Sequence, residues 1–227
     1  YYQTLSKAEQ SSYQAMQAGL QAFAPSFPVP LLENRALTDV FMKLRLDCPQ
    51  LFYAGTFQYR YYPDSRNAEL IPAYLFEKGK LKEHQKALQA RVEKLVRPVA
   101  RCSDEEKLLY IHDFICKNVR YDKLKKQYSH EIIGVLGHGV GVCEGIAKAV
   151  KILCDALQIQ CIIALAENNP EKGVKYRHAW NVVRLDKKYY HLDCTFDLSL
   201  GNPEEIRYDY FLLSDKQIFR DHERLVW

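Results

Sequence analysis

The residue best placed for covalent chemistry is a cysteine at the start of a predicted helix. Cys143 follows the glycine-rich run GVGV at 139–142. The apolar residues after it recur at the spacing of one helix face: Ile146, Val150, Leu153 and Leu157. The first turn of a helix offers unpaired backbone N–H groups and the positive end of the helix dipole, and both favour a thiolate. Because glycine lets the backbone enter at a close angle, we expect the sulfur to stay accessible, as a nucleophile must be.

A thiol nucleophile needs a histidine as its base and a third polar group that orients the ring. His178 lies in the predicted strand RHAWNVV, and Asp193 lies in the next one, KYYHLDC. A two-residue loop at 185–186 would set these side chains directly opposite each other, and a loop at 186–187 would make them diagonal neighbours on one face. A three-residue loop would put them on opposite faces. The short connection therefore favours a Cys–His–Asp arrangement.

A zinc site is an alternative for the same residues. Four side chains could in principle supply its ligands: Cys143, His178, Asp193 and His191. One thiolate at a helix start with histidine and aspartate partners fits a catalytic triad better than it fits the ligand sets that zinc prefers. The sequence therefore predicts no metal.

The remaining cysteines and histidines have simpler interpretations. The core is the predicted place for Cys154, Cys161 and Cys194, as it is for Trp180. His222 lies among charged residues and is predicted to be solvated. Seven cysteines are an odd number, so at least one is not paired within the chain.

Helices come early in the chain and strands come late. Capping boxes and apolar spacing predict helices at 6–24, 37–44, 83–96 and 103–118. Aromatic and alternating segments predict strands at 51–61, 68–76, 160–167, 176–185, 188–196 and 208–213. This order favours an α+β fold in which the helix that carries the cysteine packs on an antiparallel sheet.

Length and charge limit the organisation and the partners of the chain. In 227 residues we expect a core at 101–227 and, at 1–100, an N-terminal helical extension with a β-hairpin that packs on it. The net charge of +4 comes from interspersed acidic and basic residues, which excludes the concentrated basic face of a nucleic-acid-binding protein. No apolar run reaches the length of a membrane-spanning helix.

Three segments together resemble the transglutaminase-like superfamily of papain-type folds. They are GVGVCEGIAKAVKILCDALQI, RHAWNVV and YYHLDCTFD. The family pattern has a G-x-C helix start, a histidine in an H-A-W context and an aspartate in a D-x-T context. The residues that match are Cys143, His178 and Asp193, with Ala179, Trp180 and Thr195 beside them. The resemblance covers about 105–215 and is close to bacterial members that carry V-C-E-G and H-A-W-N.

The resemblance implies a papain-like core and a thiol-dependent acyl transfer on peptide or protein amides, as in proteases, amidases and transglutaminases. Cys143 would form a thioester, His178 would move the proton and Asp193 would orient the imidazole. The backbone N–H of the cysteine would be one donor to the oxyanion. Animal transglutaminases add an indole donor upstream of the cysteine, whereas this sequence has no tryptophan before position 180. Tyr128 or His130 could replace it.

The resemblance also implies the partners. We expect a peptide or protein substrate, with water or an amine as the acceptor, and no cofactor. No calcium-loop pattern is present. Many relatives work at the cell surface, which favours an extracytoplasmic location. The alternative function is a non-catalytic domain that keeps the fold and binds a peptide or a cell-wall fragment.

Overall fold

A computed structural model describes residues 1–168, 171, 177–202 and 204–223. The chain divides into two compact units, Tyr1–Gln85 and Lys86–Trp227. The boundary expected near residue 100 and the packing of the extension on the core stay predictions. In the described part of the chain, no helix is both long enough and apolar enough to cross a bilayer.

The first unit contains two helices and a three-stranded antiparallel sheet. Its elements are α1 (Lys7–Gln21), β1 (Phe27–Pro30), α2 (Asn34–Asp47), β2 (Ala54–Tyr61) and β3 (Asn67–Tyr74), with the strand order β1-β3-β2. The predicted capping box at Ser6 and Glu9 is confirmed, and so is the predicted hairpin of β2 and β3. Strand β1 was not predicted, because proline is a poor strand former that sheets tolerate at their edges.

The second unit carries the remaining helices and a second antiparallel sheet. Its helices are α3 (Lys78–Val96, which begins in the first unit), α4 (Asp104–Asn118), α5 (Cys143–Ala156), α6 (Cys194–Leu200) and α7 (Asp215–Ile218). Its strands are the short β4 (Arg120–Tyr121) and β5 (Val140–Gly141), which pair in parallel, and β6 (Cys161–Ala166), β7 (His178–Leu185) and β8 (Lys188–Leu192), which are antiparallel in that order. The capping box predicted at Ser103 and Glu106 starts α4.

The turn between β7 and β8 decides the register of the hairpin. Leu185 pairs with Lys188, so the loop consists of Asp186 and Lys187, whose φ angles are 48° and 66°. Positive φ at both loop residues matches the right-handed twist of the flanking strands. Of the two predicted two-residue loops, the structure has the one at 186–187.

A buried asparagine joins helix α5 to the sheet. Asn181 lies on β7 with 1% of its surface exposed, and its side-chain amide donates a hydrogen bond of 2.9 Å to the backbone oxygen of Ala147 on α5. Because a buried amide needs a hydrogen-bond partner, this bond favours one position of α5 relative to β7. The mixed α+β fold, with the cysteine-bearing helix against an antiparallel sheet, is confirmed.

Two strand predictions near the end of the chain were wrong. Strand β8 ends at Leu192 instead of continuing to residue 196, because the Asp193 side chain accepts the backbone N–H groups of the first turn of α6. The segment 208–213 is not a strand; Leu213 alone forms a β-bridge, with His191. The backbone N–H of Tyr210 donates instead to the carboxylate of Asp197, which removes it from strand pairing.

Candidate active site

The first residue of α5 is Cys143. The preceding residue, Val142, has an extended backbone and donates its N–H to the backbone oxygen of Ser129 at 3.0 Å. One step earlier, Gly141 pairs with Tyr121 across the two short parallel strands. The helix start is therefore fixed from both sides. The thiol of Cys143 is half-buried, and the residue forms no disulfide.

Two glycines lie where a side chain would disturb the backbone around the start of α5. Gly139 has a φ of 65°, a conformation that residues with a side chain rarely adopt. At Gly145, in the first turn of α5, a Cβ atom would lie 2.1 Å from the backbone oxygen of Ser129. The loop before the cysteine therefore packs directly on the helix backbone.

The carboxylate of Asp122 organises this loop. It accepts hydrogen bonds from the backbone N–H groups of Leu124 at 3.0 Å and Lys126 at 2.9 Å, and from the hydroxyl of Ser129 at 2.5 Å. The bond from Ser129 and the bonds from the backbone hold the pKa of Asp122 below its usual range. The side chain of Asp122 therefore holds together the loop that contacts the start of α5.

The structure brings His178 between Asp193 and Cys143. Nε2 of His178 lies 2.5 Å from Oδ2 of Asp193, and Cys143 is close enough to the same ring to influence its pKa. Because Asp193 engages Nε2, Nδ1 is the nitrogen left for the sulfur. Burial lowers the pKa of His178, but the negative charge and hydrogen bond of Asp193, together with Cys143, raise it to about 10.

Asp193 is buried, and both of its carboxylate oxygens accept hydrogen bonds. Oδ1 accepts the backbone N–H groups of Thr195 at 2.9 Å and Phe196 at 3.1 Å, which makes this residue the N-cap of α6. Burial acts to raise the pKa of Asp193, but the charges and hydrogen bonds of two histidines hold it well below its usual range. The carboxylate is therefore ionised although its side chain is shielded from solvent.

The second of these histidines is His222, which the sequence led us to place in solvent. That prediction was wrong: its side chain is 1% exposed, and its Nε2 lies 2.8 Å from Oδ2 of Asp193. Charged neighbours in the sequence suggested exposure. The tertiary structure instead folds the segment after α7 back onto Asp193, and no local pattern signals such a contact.

A comparison of the sequence with protein families now identifies this region. Residues 89–194 match the family model of the transglutaminase-like superfamily. This part of the chain is therefore similar to that superfamily. The match includes Cys143, His178 and Asp193, the three residues that the structure brings together.

Solved structures of similar fold include a transglutaminase and two bacterial proteins. The transglutaminase gives a TM-score of 0.43 at 10% identity, over 75% of this chain and 50% of its own. A candidate cysteine protease from Cytophaga hutchinsonii gives 0.39 at 14% identity, over 62% and 61%. A candidate protease from Parabacteroides distasonis gives 0.37 at 15% identity, over 61% and 36%. No curated protein sequence matches the chain. Likenesses this distant transfer neither activity nor substrate.

Among the described residues, one group of three side chains could hold a metal ion. Atoms of His178, Asp193 and His222 lie within 4.8 Å of one another. The two histidine nitrogens lie 2.5 and 2.8 Å from the same carboxylate oxygen, which is the geometry of N–H donors on an acceptor. Protons account for this arrangement without a metal.

His191, the fourth member of the zinc set considered above, has other partners. Its Nδ1 accepts the indole N–H of Trp180 at 2.9 Å, and its Nε2 lies 3.0 Å from Oδ1 of Asp215. Trp180 is 1% exposed within an apolar cluster, so its predicted core position is confirmed. The set proposed from sequence is therefore not assembled around one point.

Three side chains near Cys143 are candidate hydrogen-bond donors to an oxyanion. Nδ1 of His130 lies 3.3 Å from a carboxylate oxygen of Glu144, and the ring of Tyr128 packs on His138 with centroids 5.1 Å apart. Tyr121 stands opposite the residue two before Cys143 in the parallel strand pair. Burial raises the pKa of Tyr121, and the negative charge of Cys143 raises it further, so the phenol and the sulfur interact.

Proposed function

We propose that this protein is a thiol-dependent acyl-transfer enzyme that acts on peptide or protein amides. The observation that supports this most strongly is the hydrogen-bonded pair of His178 and Asp193 beside Cys143 at the N-terminus of α5, with a sulfur that is only half-buried. A base within reach of the nucleophile and an acid that holds the base are the parts that thiol catalysis requires. Similarity to the superfamily favours the same chemistry.

In the first half of the proposed reaction, the thiolate of Cys143 attacks the carbonyl carbon of the amide and a carbon–sulfur bond forms. The imidazolium of His178 gives its proton to the leaving nitrogen as the carbon–nitrogen bond breaks. An amine departs and a thioester remains on the enzyme. Asp193 holds the ring in place and stabilises its positive charge, consistent with the raised pKa of His178.

In the second half, water or an amine attacks the thioester carbon and loses its proton to His178. The carbon–sulfur bond breaks, the sulfur leaves as thiolate and the acid or the new amide departs. We propose two donors for the negative oxygen in each half: the backbone N–H of Cys143, which has no acceptor within its own helix, and the hydroxyl of Tyr121. The position of Tyr121, whose strand partner Gly141 lies two residues before Cys143, favours this tyrosine over Tyr128 and His130.

Selective alkylation tests the nucleophile. The full chain is treated with iodoacetamide at neutral pH, and the rate at each cysteine is read by mass spectrometry. Cys102 is a matched internal control, because it and Cys143 are the two half-buried cysteines and the others are buried. We expect Cys143 to react at least tenfold faster than Cys102 and to lose this advantage in His178→Ala. Equal rates at the two thiols would contradict the proposal and favour a binding domain without turnover.

A peptide library with and without amine donors identifies the reaction. Mass spectrometry distinguishes cleavage, loss of ammonia and incorporation of the amine, and Cys143→Ala is the control that retains the fold. Any of these products that is absent with the control supports acyl transfer. A chain that passes the alkylation test and yields none of them across a broad library would lack the proposed activity on peptide amides.

A further inference from the structure

A second imidazole contacts a carboxylate that already has a full set of partners. Oδ1 of Asp193 accepts two backbone N–H groups, and Oδ2 accepts Nε2 of His178 at 2.5 Å. Nε2 of His222 reaches the same Oδ2 at 2.8 Å. The rings of the two histidines have centroids 5.3 Å apart at an angle of 62°. One buried oxygen therefore fixes two imidazoles.

His222 is itself held in place on every side. Its Nδ1 lies 2.7 Å from Oδ1 of Asp221, and Oδ2 of Asp221 accepts the hydroxyl of Tyr210. The ring of His222 packs on Trp180 with centroids 5.0 Å apart and on Phe196 at 4.6 Å. A continuous chain of hydrogen bonds thus runs from Tyr210 through Asp221, His222 and Asp193 to His178.

Both ring nitrogens of His222 have a hydrogen-bond acceptor. Each nitrogen faces a carboxylate oxygen, so both hydrogen bonds form together only when both nitrogens carry protons. Five ionisable groups face the ring or interact with it: Asp193, Asp221, His178, His191 and Tyr210. Of these five groups, only the carboxylates of Asp193 and Asp221 contact the ring nitrogens directly.

We propose that His222 is a positioning residue of the active site, which anchors the carboxylate of Asp193 and supplies a positive charge next to the Cys143–His178 pair. This inference rests on the proposed function. The anchor keeps Oδ2 aimed at His178, and through it keeps the ring of His178 aimed at the sulfur. The charge favours the thiolate form, because opposite charges within a buried site stabilise each other.

Two variants separate the anchor from the charge. His222→Gln keeps an N–H donor near the position of Nε2 and removes the charge, whereas His222→Phe keeps the ring packing and removes both. His112→Gln is the matched control, because His112 is also a buried histidine bonded to an aspartate, Asp197, at 3.0 Å, and the other polar contacts of its ring are with Asp113 and Cys116. For each full-length protein, the second-order rate constant for iodoacetamide at the active-site thiol is measured between pH 4 and pH 9, together with the thermal unfolding temperature.

The variants are expected to differ in a defined way. In His222→Phe, the rate constant at pH 7 falls roughly ten- to hundredfold, the usual effect of losing a hydrogen bond to a charged group. In His222→Gln, the plateau stays within about threefold of the wild type. In both, the acid limb of the profile moves up by about one pH unit, because a nearby positive charge is lost. His112→Gln loses stability and leaves the profile unchanged.

Several results would overturn the inference and leave the proposed function standing. One is a wild-type protein that passes the Cys143 alkylation test while both His222 variants reproduce its profile, which reduces His222 to a space-filling residue. Another is one equivalent of metal in the isolated protein that is lost in His222→Gln. If His222→Phe does not fold, the shift of the acid limb in His222→Gln decides. A wild type whose Cys143 reacts no faster than Cys102 would instead refute the proposed function itself.

Discussion

Replacement of a buried lysine should weaken the second unit more than any replacement of an exposed charge. The side chain of Lys148 on α5 is fully buried. Its amine donates to the backbone oxygen of His130 at 3.1 Å and to Oε1 of Glu131 at 2.9 Å, and forms an ion pair with Oε1 of Glu144 at 2.7 Å. These partners join α5, one turn past the cysteine, to the loop that precedes it.

Lys148→Met keeps most of the length of the side chain and removes its charge and donors. Glu131, whose side chain is only 3% exposed, would then lose the ion pair that it forms with Lys148. Breaking a buried ion pair by removing one partner costs about 3–5 kcal/mol. For a unit of this size, that corresponds to a fall of roughly 10–15 °C in the unfolding temperature.

Urea unfolding, followed by circular dichroism, measures the loss of free energy. Lys151→Met is the matched control: this lysine lies three residues further on the same helix, pairs with Asp155, which is 45% exposed, and donates to the backbone oxygen of Cys161 at 3.1 Å, so we expect a smaller loss of about 1–2 kcal/mol. In Lys148→Met with Glu131→Gln, at least a third of the loss should return, because the buried side chain that lost the ion pair is then neutral. Equal losses in the two lysine variants, or no recovery in the double variant, would refute the reasoning.

Three other predictions follow from the site and its supports. The raised pKa of His178 means that its contribution to stability is fully present below about pH 6.5 and is lost as the pH rises to about 10, so the free energy of unfolding should decline in this window in the wild type and not in His178→Ala. Gly145→Ala should lower the free energy of unfolding in urea by about 2 kcal/mol or more, because its Cβ would lie 2.1 Å from the backbone oxygen of Ser129. Its control is Gly79→Ala in helix α3, where a Cβ would have no atom within 4 Å; this variant should raise the free energy of unfolding by up to about 1 kcal/mol. Tyr121→Phe should lower kcat on a peptide substrate about tenfold or more and leave alkylation of the active-site thiol within about threefold, because an oxyanion donor acts on the transition state alone; equal effects on both rates would contradict this role.

Local patterns in the sequence predicted the parts of the fold that depend on neighbouring residues. The capping boxes at Ser6 and Ser103 start helices as expected, because the bonds they form join residues three apart. The two-residue turn at 186–187 follows from the short gap between two alternating segments. The strand prediction failed at Asp193, whose side chain accepts backbone N–H groups and starts a helix. The local sequence has no pattern that decides between a continued strand and this helix start.

The sequence could not predict contacts that depend on the approach of distant segments. Lys148 falls among the residues of an amphipathic helix where a lysine is expected to face solvent, and it is buried because Glu131 lies opposite it. His222 is buried because the segment after α7 returns to the sheet. The parallel pairing of the two short strands at 120–121 and 140–141 was equally invisible, since two residues make no periodic pattern.

The sequence by itself determined the fold class, the helix start at Cys143 and the pairing of the strand that carries His178 with the one that leads to Asp193. Each of these follows from periodicity or from short-range hydrogen bonds, which act within a few residues. The tertiary structure alone decided which nitrogen of His178 faces the acid, that His222 shares the same carboxylate oxygen, and that a buried lysine supports the helix below the sulfur. Such contacts form between segments that are far apart in the chain, and their energy depends on burial, which only the assembled core provides.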